Sequence, residues 1–254
     1  MRCIKITLSI LAFLPMAAGC AAEPPRVAPC VPPSLDLRGS VGAANGGVRV
    51  EEEGFTALPD ARQPDHLFVS FGAILVNLGD QVAHRTQVRL RLRDDHGRES
   101  AGPDRWLQIP LILPGQRVPF GDWHRLPGPV RLASVTIELG STTWLSPDRE
   151  RFKPMDAVVT ATDPGTLTGT GTTLHYDAAS PYCWNLVEHG MAAVFRGASG
   201  QIVGGGLIAI GECRSGPRSG SGAVVAVPPG AAAERTQVYP YCDLIGPSTN
   251  AWEA

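Results

Sequence analysis

Residues 88–93 alternate strictly between an apolar and a charged side chain, and this stretch constrains the fold more than any other part of the chain. Successive side chains of a β-strand point to opposite faces, so Val88, Leu90 and Leu92 share one face and three arginines share the other. The polar run at 94–97 ends in a glycine, which favours a tight turn. The pattern predicts a half-buried antiparallel strand that leads into a hairpin.

Short apolar stretches separated by turn residues fill the rest of the first half. The chain contains 29 glycines and 23 prolines and has no long apolar repeat of helical period. This composition is typical of an all-β protein with many turns. Besides the strand at 88–93, we predict strands at 48–51, 67–77, 106–113, 118–120 and 130–139.

The second half repeats this order less regularly, with predicted strands at 165–176, 187–195, 201–210, 223–228 and 232–239. It carries an insertion at 211–222 that is rich in glycine, serine and arginine, and it lacks a counterpart of the strand at 130–139. Each half has the size of an immunoglobulin-like fold. We therefore predict two immunoglobulin-like antiparallel β-sandwich domains, residues 47–146 and 155–246.

Three of the first-half stretches also carry a family resemblance. The apolar run at 72–77 ends in Asn, the run at 88–93 leads into Asp94 and a glycine turn, and the run at 113–116 contains Pro-Gly and precedes Phe120. This order resembles the FxLYD-type domain, a small immunoglobulin-like sandwich of bacterial lipoproteins and secreted proteins, although the aromatic residue expected just before the Asp is missing. The resemblance extends over about 48–140 and more weakly over 156–240. It implies a fold and no catalytic residues.

The amino terminus combines positive charge, an apolar stretch and a cysteine. Arg2 and Lys5 precede the apolar stretch, and small residues then lead into Cys20. The stretch is shorter than the roughly 20 apolar residues that a membrane-spanning helix needs. Residues 1–19 resemble the signal peptide of a bacterial lipoprotein, with Ala17 where leucine is usual. The resemblance implies that Cys20 becomes the lipidated first residue of the mature protein.

Ala21 follows that cysteine, and the same resemblance then implies attachment to the outer membrane, facing the periplasm. The alternative is an ordinary secretory signal that is cleaved near Ala22. Residues 20–46 are rich in proline and then in glycine, which is typical of a partly extended, partly flexible tether. Two or more acyl chains anchor a protein stably, whereas one holds it only marginally.

Four further cysteines lie outside the signal and the lipidation motif: Cys30, Cys183, Cys213 and Cys242. An exported chain meets an oxidising compartment, which favours disulfides. Because each turn reverses the chain, the last three cysteines all follow strands that end on the same side of the second domain. We prefer a pair between Cys183 and Cys242, with Cys213 bonded to Cys30 or free. A metal site that uses the same thiols with His175 or His189 is the alternative.

Few other residues suggest chemistry. Residues 94–96, Asp-Asp-His, are a candidate metal or acid–base cluster, but Asp and Gly at this spacing are more typical of a hairpin turn. Residues 122–124, Asp-Trp-His, are expected between two strands, where Trp123 and His124 are candidates for binding a partner. Trp184 is a third candidate. The alternative for both tryptophans is that they cap their own sandwich.

Nothing in the sequence indicates catalysis directly. Ser199 lies in a Gly-Ala-Ser-Gly turn and not in a Gly-x-Ser-x-Gly elbow, and the six histidines are scattered. With 24 acidic and 22 basic residues, the chain gives no reason to expect nucleic acid binding, and we predict no cofactor and no metal. We expect a membrane-anchored envelope lipoprotein that binds or scaffolds another envelope protein. An inhibitor or immunity-type lipoprotein, or a hydrolase with a site between the two domains, is the alternative.

Overall fold

The computed structural model describes part of the chain, namely residues 30, 37, 39–60, 63–100, 106–128, 130–148, 151–164, 171–208, 213–224 and 227–244. The chain divides into two compact units, residues 1–30 and 31–254, and only Cys30 of the first is described. The predicted signal peptide and Cys20 therefore lie outside the described residues. Within the part that is described, no helix is long and apolar enough to cross a membrane.

The first half of the chain forms eight described strands in two antiparallel sheets. Sheet I has the order β1-β8-β4-β5, with β7 also paired to β4, and sheet II has the order β2-β3-β6. The strands are β1 (Ser40–Ala43), β2 (Val48–Pro59), β3 (His66–Asn77), β4 (Val82–Asp94), β5 (Leu107–Ile112), β6 (Arg117–Pro127), β7 (Leu132–Leu139) and β8 (Ser141–Leu145).

The second half forms six described strands, again in two antiparallel sheets. Sheet III has the order β12-β11-β14, and sheet IV has the order β13-β10-β9. The strands are β9 (Asp156–Pro164), β10 (Thr172–Ser180), β11 (Val187–Arg196), β12 (Ile202–Ile208), β13 (Gly216–Val224) and β14 (Gln237–Asp243). The prediction of an all-β chain with antiparallel β-sandwich units is confirmed.

Two predictions about chain regions need correction. Ser40–Ala43, at the end of the predicted tether, is strand β1 and pairs with β8, so the sheet begins before the predicted boundary at residue 47. The predicted insertion at 211–222 contains most of β13. Apolar alternation is missing there because glycines lie on the inner side. An added Cβ at Gly220 would lie 2.7 Å from the Tyr176 hydroxyl, and one at Gly222 would lie 2.1 Å from Ile208.

Each half packs its own two sheets face to face. Sheets I and II enclose Phe71 and Phe120 together with Leu90, Leu92 and Ile109, as the alternation at 88–93 predicts. Sheets III and IV enclose a second cluster of buried side chains, which includes Leu174, Tyr176, Met191, Phe195 and Ile208.

The larger core crosses the predicted domain boundary, although every described ladder joins strands of the same half. Tyr239, Tyr241 and Cys242 of the second half belong to the same buried cluster as Phe71 and Ile109 of the first. Strand pairing therefore stays within each half, whereas hydrophobic packing and side-chain hydrogen bonds cross from one half to the other.

Sheets II and III meet across a row of three glycines. Gly54, Gly72 and Gly121 lie side by side on β2, β3 and β6. An added Cβ on them would lie 2.1 Å from the carbonyl oxygen of Ile202, 2.2 Å from that of Gly204 and 2.0 Å from that of Ala193, respectively. Strand β12 therefore crosses sheet II with backbone against backbone.

Two hydroxyl side chains, Ser70 and Thr56, form hydrogen bonds across this glycine contact. The Ser70 hydroxyl on β3 donates to the Gly205 carbonyl oxygen at 2.8 Å and accepts the Gly205 N–H at 3.1 Å. On β2, the Thr56 hydroxyl donates to the Val203 carbonyl oxygen at 2.6 Å. These bonds give hydrogen-bond partners to backbone groups of β12 that point away from the rest of sheet III. Buried backbone N–H and C=O groups are nearly always paired in this way.

Candidate functional site

The predicted partner-binding residues of the first half lie inside a strand, not in a loop. Trp123 and His124 are part of β6, because this strand continues to Pro127. Trp123 is half-buried and meets the Phe68 ring edge-on, with the ring centroids 5.4 Å apart. The adjacent Asp122 is buried, and its carboxylate accepts the Trp123 N–H at 2.8 Å. The placement between two strands is wrong, and partner binding by Trp123 and His124 stays a prediction.

Trp184, the third predicted residue, lies between β10 and β11. It is half-buried and packs edge-on against Tyr182, with the ring centroids 5.0 Å apart. The Tyr182 hydroxyl accepts the Lys153 N–H at 2.8 Å and donates to the Lys153 carbonyl oxygen at 3.2 Å. Trp184 therefore packs on a tyrosine that is itself fastened to the segment between the two halves, and its role in binding also stays a prediction.

The cysteines form disulfides, but not in the preferred pairing. Cys213 bonds Cys242, with the Cα atoms 5.5 Å apart, so both the Cys183–Cys242 pair and the Cys30–Cys213 pair are wrong. Cys30 and Cys183 are each disulfide-bonded as well. Strand parity correctly brought Cys213 and Cys242 to the same end. Strand parity does not predict which two cysteines form a bond, because it gives the end of the sandwich at which each lies and not the distances between them.

The same bond excludes the alternative metal site, because oxidised thiols are not ligands. Among the described residues, no group of three or more His, Cys, Asp or Glu side chains is placed to hold a metal ion. His175 instead bonds Asp163 at 2.6 Å. The carboxylate of Asp94 accepts the backbone N–H groups of His96 and Arg98, both at 2.9 Å, so residues 94–97 form the predicted turn.

A cluster of charged side chains that the sequence did not predict lies between the two halves. Asp243 at the end of β14 is 2% exposed. It accepts hydrogen bonds from His84 Nε2 at 3.1 Å and from Arg85 Nε at 2.8 Å, both on β4. His189 Nε2 of β11 lies 3.9 Å from the same carboxylate. The three elements that meet here are far apart in sequence, so no local pattern signals the cluster.

Burial and hydrogen bonding oppose each other in this cluster. Burial acts to raise the pKa of Asp243, but the bonds from His84 and Arg85 outweigh it and hold the pKa below its usual range. Burial lowers the pKa of His189, and the Asp243 carboxylate only partly opposes this effect. Arg85 reaches Asp243 from a left-handed backbone conformation, with φ at +54°, which is strained for a residue with a side chain.

The buried cluster does not support the hydrolase alternative. His84 and His189 are 5% and 9% exposed, so a substrate carbonyl has no access to their rings in this conformation. The cluster links strands β4, β11 and β14, which is the arrangement of a structural connection between the two halves.

A groove of about 580 Å³ lies where the edges of three sheets meet. We call it the seam groove. Its walls come from β6, β14 and β9, which are the terminal strands of sheets II, III and IV in the described part of the chain. The lining includes Arg117 and Pro119 of β6, Gln237 and Tyr239 of β14, and Asp156 and Val158 of β9.

The walls of the seam groove differ in their charge pairing. Arg117 is bound to Glu51 at 2.7 Å and to Glu52 at 2.9 Å. Asp156 and Glu234 form no ion pair within the described residues and are exposed. Tyr239 in the lining is uncharged at neutral pH, and burial raises its pKa further, to about 12. Its hydroxyl accepts a hydrogen bond from Gln116 at 2.8 Å.

Comparison with models of known protein families, with curated proteins and with solved structures finds no match to this chain. The resemblances to lipoprotein signals and to FxLYD-type domains therefore stay predictions.

Proposed function

We propose that this protein is a lipid-anchored lipoprotein of the cell envelope, which binds another envelope protein and catalyses no reaction. The seam groove carries the proposal. It is an open cavity bounded by sheet edges in a frame whose two halves are joined by backbone packing, and sheet edges of this kind recognise extended polypeptide.

Two further features support the location. The disulfide between Cys213 and Cys242 suits an oxidising compartment outside the cytoplasm. The stretch before Cys20 has the charge, the apolar run and the small residues of an exported lipoprotein. In this proposal, the prolines between Cys20 and β1 hold the folded part away from the membrane surface.

Anchoring is tested by replacing Cys20 with Ala. We expect loss of acyl labelling and transfer of the protein from the membrane fraction to the soluble fraction. A variant that stays on the membrane to the same extent contradicts the lipoprotein proposal.

Binding is tested by site-specific photo-crosslinking in intact cells. A photoreactive residue at Gln237 in the seam groove should give one discrete adduct with an envelope protein. The same residue at Thr136, which is exposed on sheet I, is the control and should give none. Equal labelling from both positions contradicts a partner that occupies the groove.

A further inference from the structure

The three edge strands around the seam groove are not equally available for pairing. Strand β6 carries Pro119, and strand β14 carries Pro240, which lack the N–H that a sheet ladder requires. Proline is one of the devices by which natural sheets protect their edges. Strand β9 has no proline before Pro164, and its start contains Val158, Val159 and Thr160, which favour extended structure.

The start of β9 is regular and open. From Asp156 to Val159 it pairs with β10 without interruption, and the register shifts only beyond that point. Val158 is 62% exposed, an unusual position for a large apolar side chain. One edge of this segment is therefore paired with β10, and within the described residues no strand is hydrogen-bonded to the other edge, which β14 approaches across the seam groove.

Cavities lie on both sides of the same segment. Asp156, Ala157 and Val158 line the seam groove, and they also line a shallow cavity of about 420 Å³ on sheet IV. Side chains of an added strand alternate between the two faces of a sheet. A strand placed beside β9 thus has space for its side chains on either face.

The charges at this edge select the strand that fits. Asp156 on β9 and Glu234 opposite it are carboxylates without an ion pair in the described part of the chain. The cationic side chain of the groove, Arg117, is already held by Glu51 and Glu52. Within the seam groove, the charge without an ion pair is therefore negative, and its complement is a lysine or arginine side chain. The cavity on sheet IV differs, because the exposed Arg218 also lines it.

We propose that the free edge of β9 binds an extended, basic segment of a partner protein by strand addition, with the basic side chains facing Asp156 and Glu234. This inference rests on the proposed binding function and specifies the chemistry of the partner. Main-chain hydrogen bonds along β9 provide affinity, and the two carboxylates provide selectivity.

Three synthetic peptides test the proposal on the full mature chain. The first has the sequence Lys-Thr-Lys-Val-Lys-Thr-Lys, the second replaces every lysine by glutamate, and the third carries N-methyl groups on alternate residues of the first. Fluorescence anisotropy should show binding of the first peptide only. N-methylation removes several hydrogen bonds at unchanged charge and should weaken binding by more than about tenfold. Equal binding of the methylated peptide overturns strand addition.

Variants of the carboxylates locate the contact. Asp156→Asn and Glu234→Gln should each weaken binding of the lysine peptide by about three- to fivefold, the range of an exposed ion pair. Asp95→Asn, in the turn after β4, is the matched control and should leave binding unchanged. Hydrogen exchange should show peptide-induced protection at 156–161. Protection elsewhere, or absence of binding by the lysine peptide, overturns the proposal.

Two outcomes separate this inference from the broader function. A crosslink from Gln237 that persists in the Asp156→Asn, Glu234→Gln double variant keeps the binding function and rejects the basic strand. Self-association of the chain, seen by sedimentation and abolished by the same double variant, would identify a second copy as the occupant and would also reject the proposal.

Discussion

Arg85 donates to Asp243 across the boundary between the two halves, with 2.8 Å between Arg85 Nε and Asp243 Oδ2. The arginine side chain is 34% exposed and the aspartate side chain only 2%. This asymmetry has an energetic consequence, because a charge left alone costs more when water cannot reach it.

Removal of either partner should therefore destabilise the fold unequally. Arg85→Ala removes the arginine from the buried carboxylate of Asp243 and should cost about 3–5 kcal/mol of unfolding free energy. Asp243→Asn leaves an arginine that can turn to solvent and should cost less, about 2 kcal/mol. Urea denaturation measures both. Arg98→Ala, which removes an exposed partner of Asp94, is the control and should have little effect. Equal losses for the two cluster variants would contradict this account.

His189 should make stability depend on pH. Its pKa is lowered in the folded chain, whereas the unfolded chain has the ordinary value of about 6.5. As the pH falls below about 6.5, His189 is protonated in the unfolded chain but stays neutral in the folded chain. The free energy of unfolding therefore decreases until the pH reaches the lower pKa of His189 in the folded chain.

His189→Gln should therefore flatten the curve of unfolding free energy against pH between about 7 and 5. His96→Gln, in an exposed turn, is the control and should leave the slope unchanged. Asp243, whose pKa is also lowered, contributes stability above about pH 3.9 that is lost on further acidification. An unchanged slope in the His189 variant would show that this histidine does not cause the pH dependence.

The glycine row predicts a sharp effect of a single methyl group. In Gly72→Ala, the added Cβ would lie 2.2 Å from the Gly204 carbonyl oxygen, so a backbone must move. We expect a loss of about 1–3 kcal/mol or more, the cost of overpacking. Gly46→Ala is the matched control, because nothing lies within 4 Å of a Cβ there. Similar melting temperatures for both variants would contradict close packing of sheets II and III.

The disulfide should stabilise the second half substantially. Cys213 and Cys242 are 29 positions apart, and a crosslink over a loop of that length is worth about 3–4 kcal/mol in the chain-entropy description. The Cys213→Ser, Cys242→Ser double variant should lose about that much in guanidinium denaturation. Non-reducing peptide mapping checks the pairing directly, and a peptide that joins Cys183 to Cys242 would refute it.

Period-two patterns were sufficient to predict the strands that have one buried face. Residues 88–93 in β4 and 130–139 around β7 are of this kind, and the glycine turn after β4 followed from the same pattern. Strands whose inner side is made of glycine give no such signal, so the sequence pattern at β13 indicates an insertion and not a strand.

The sites depend on relations that a linear pattern does not contain. Asp243 meets His84 and Arg85 through packing of the two halves, and the seam groove exists only where three sheet edges converge. Residue type alone indicates the aromatic candidates. The sequence of β6 after Phe120 shows no regular alternation, so it predicts Trp123 between two strands and not within one.

The glycine row also matters for the order in which the chain is made. During synthesis the first half is complete before β11 and β12 exist. The face of sheet II that these strands later cover is therefore exposed to solvent until they are made. The centre of that face is glycine and serine, so its apolar surface is confined to side chains beside the centre, such as Ile74, which later packs against Val194 and Ile202. A leucine-rich face at the same place would bind more strongly in the finished protein, yet it would be adhesive in the unfinished one.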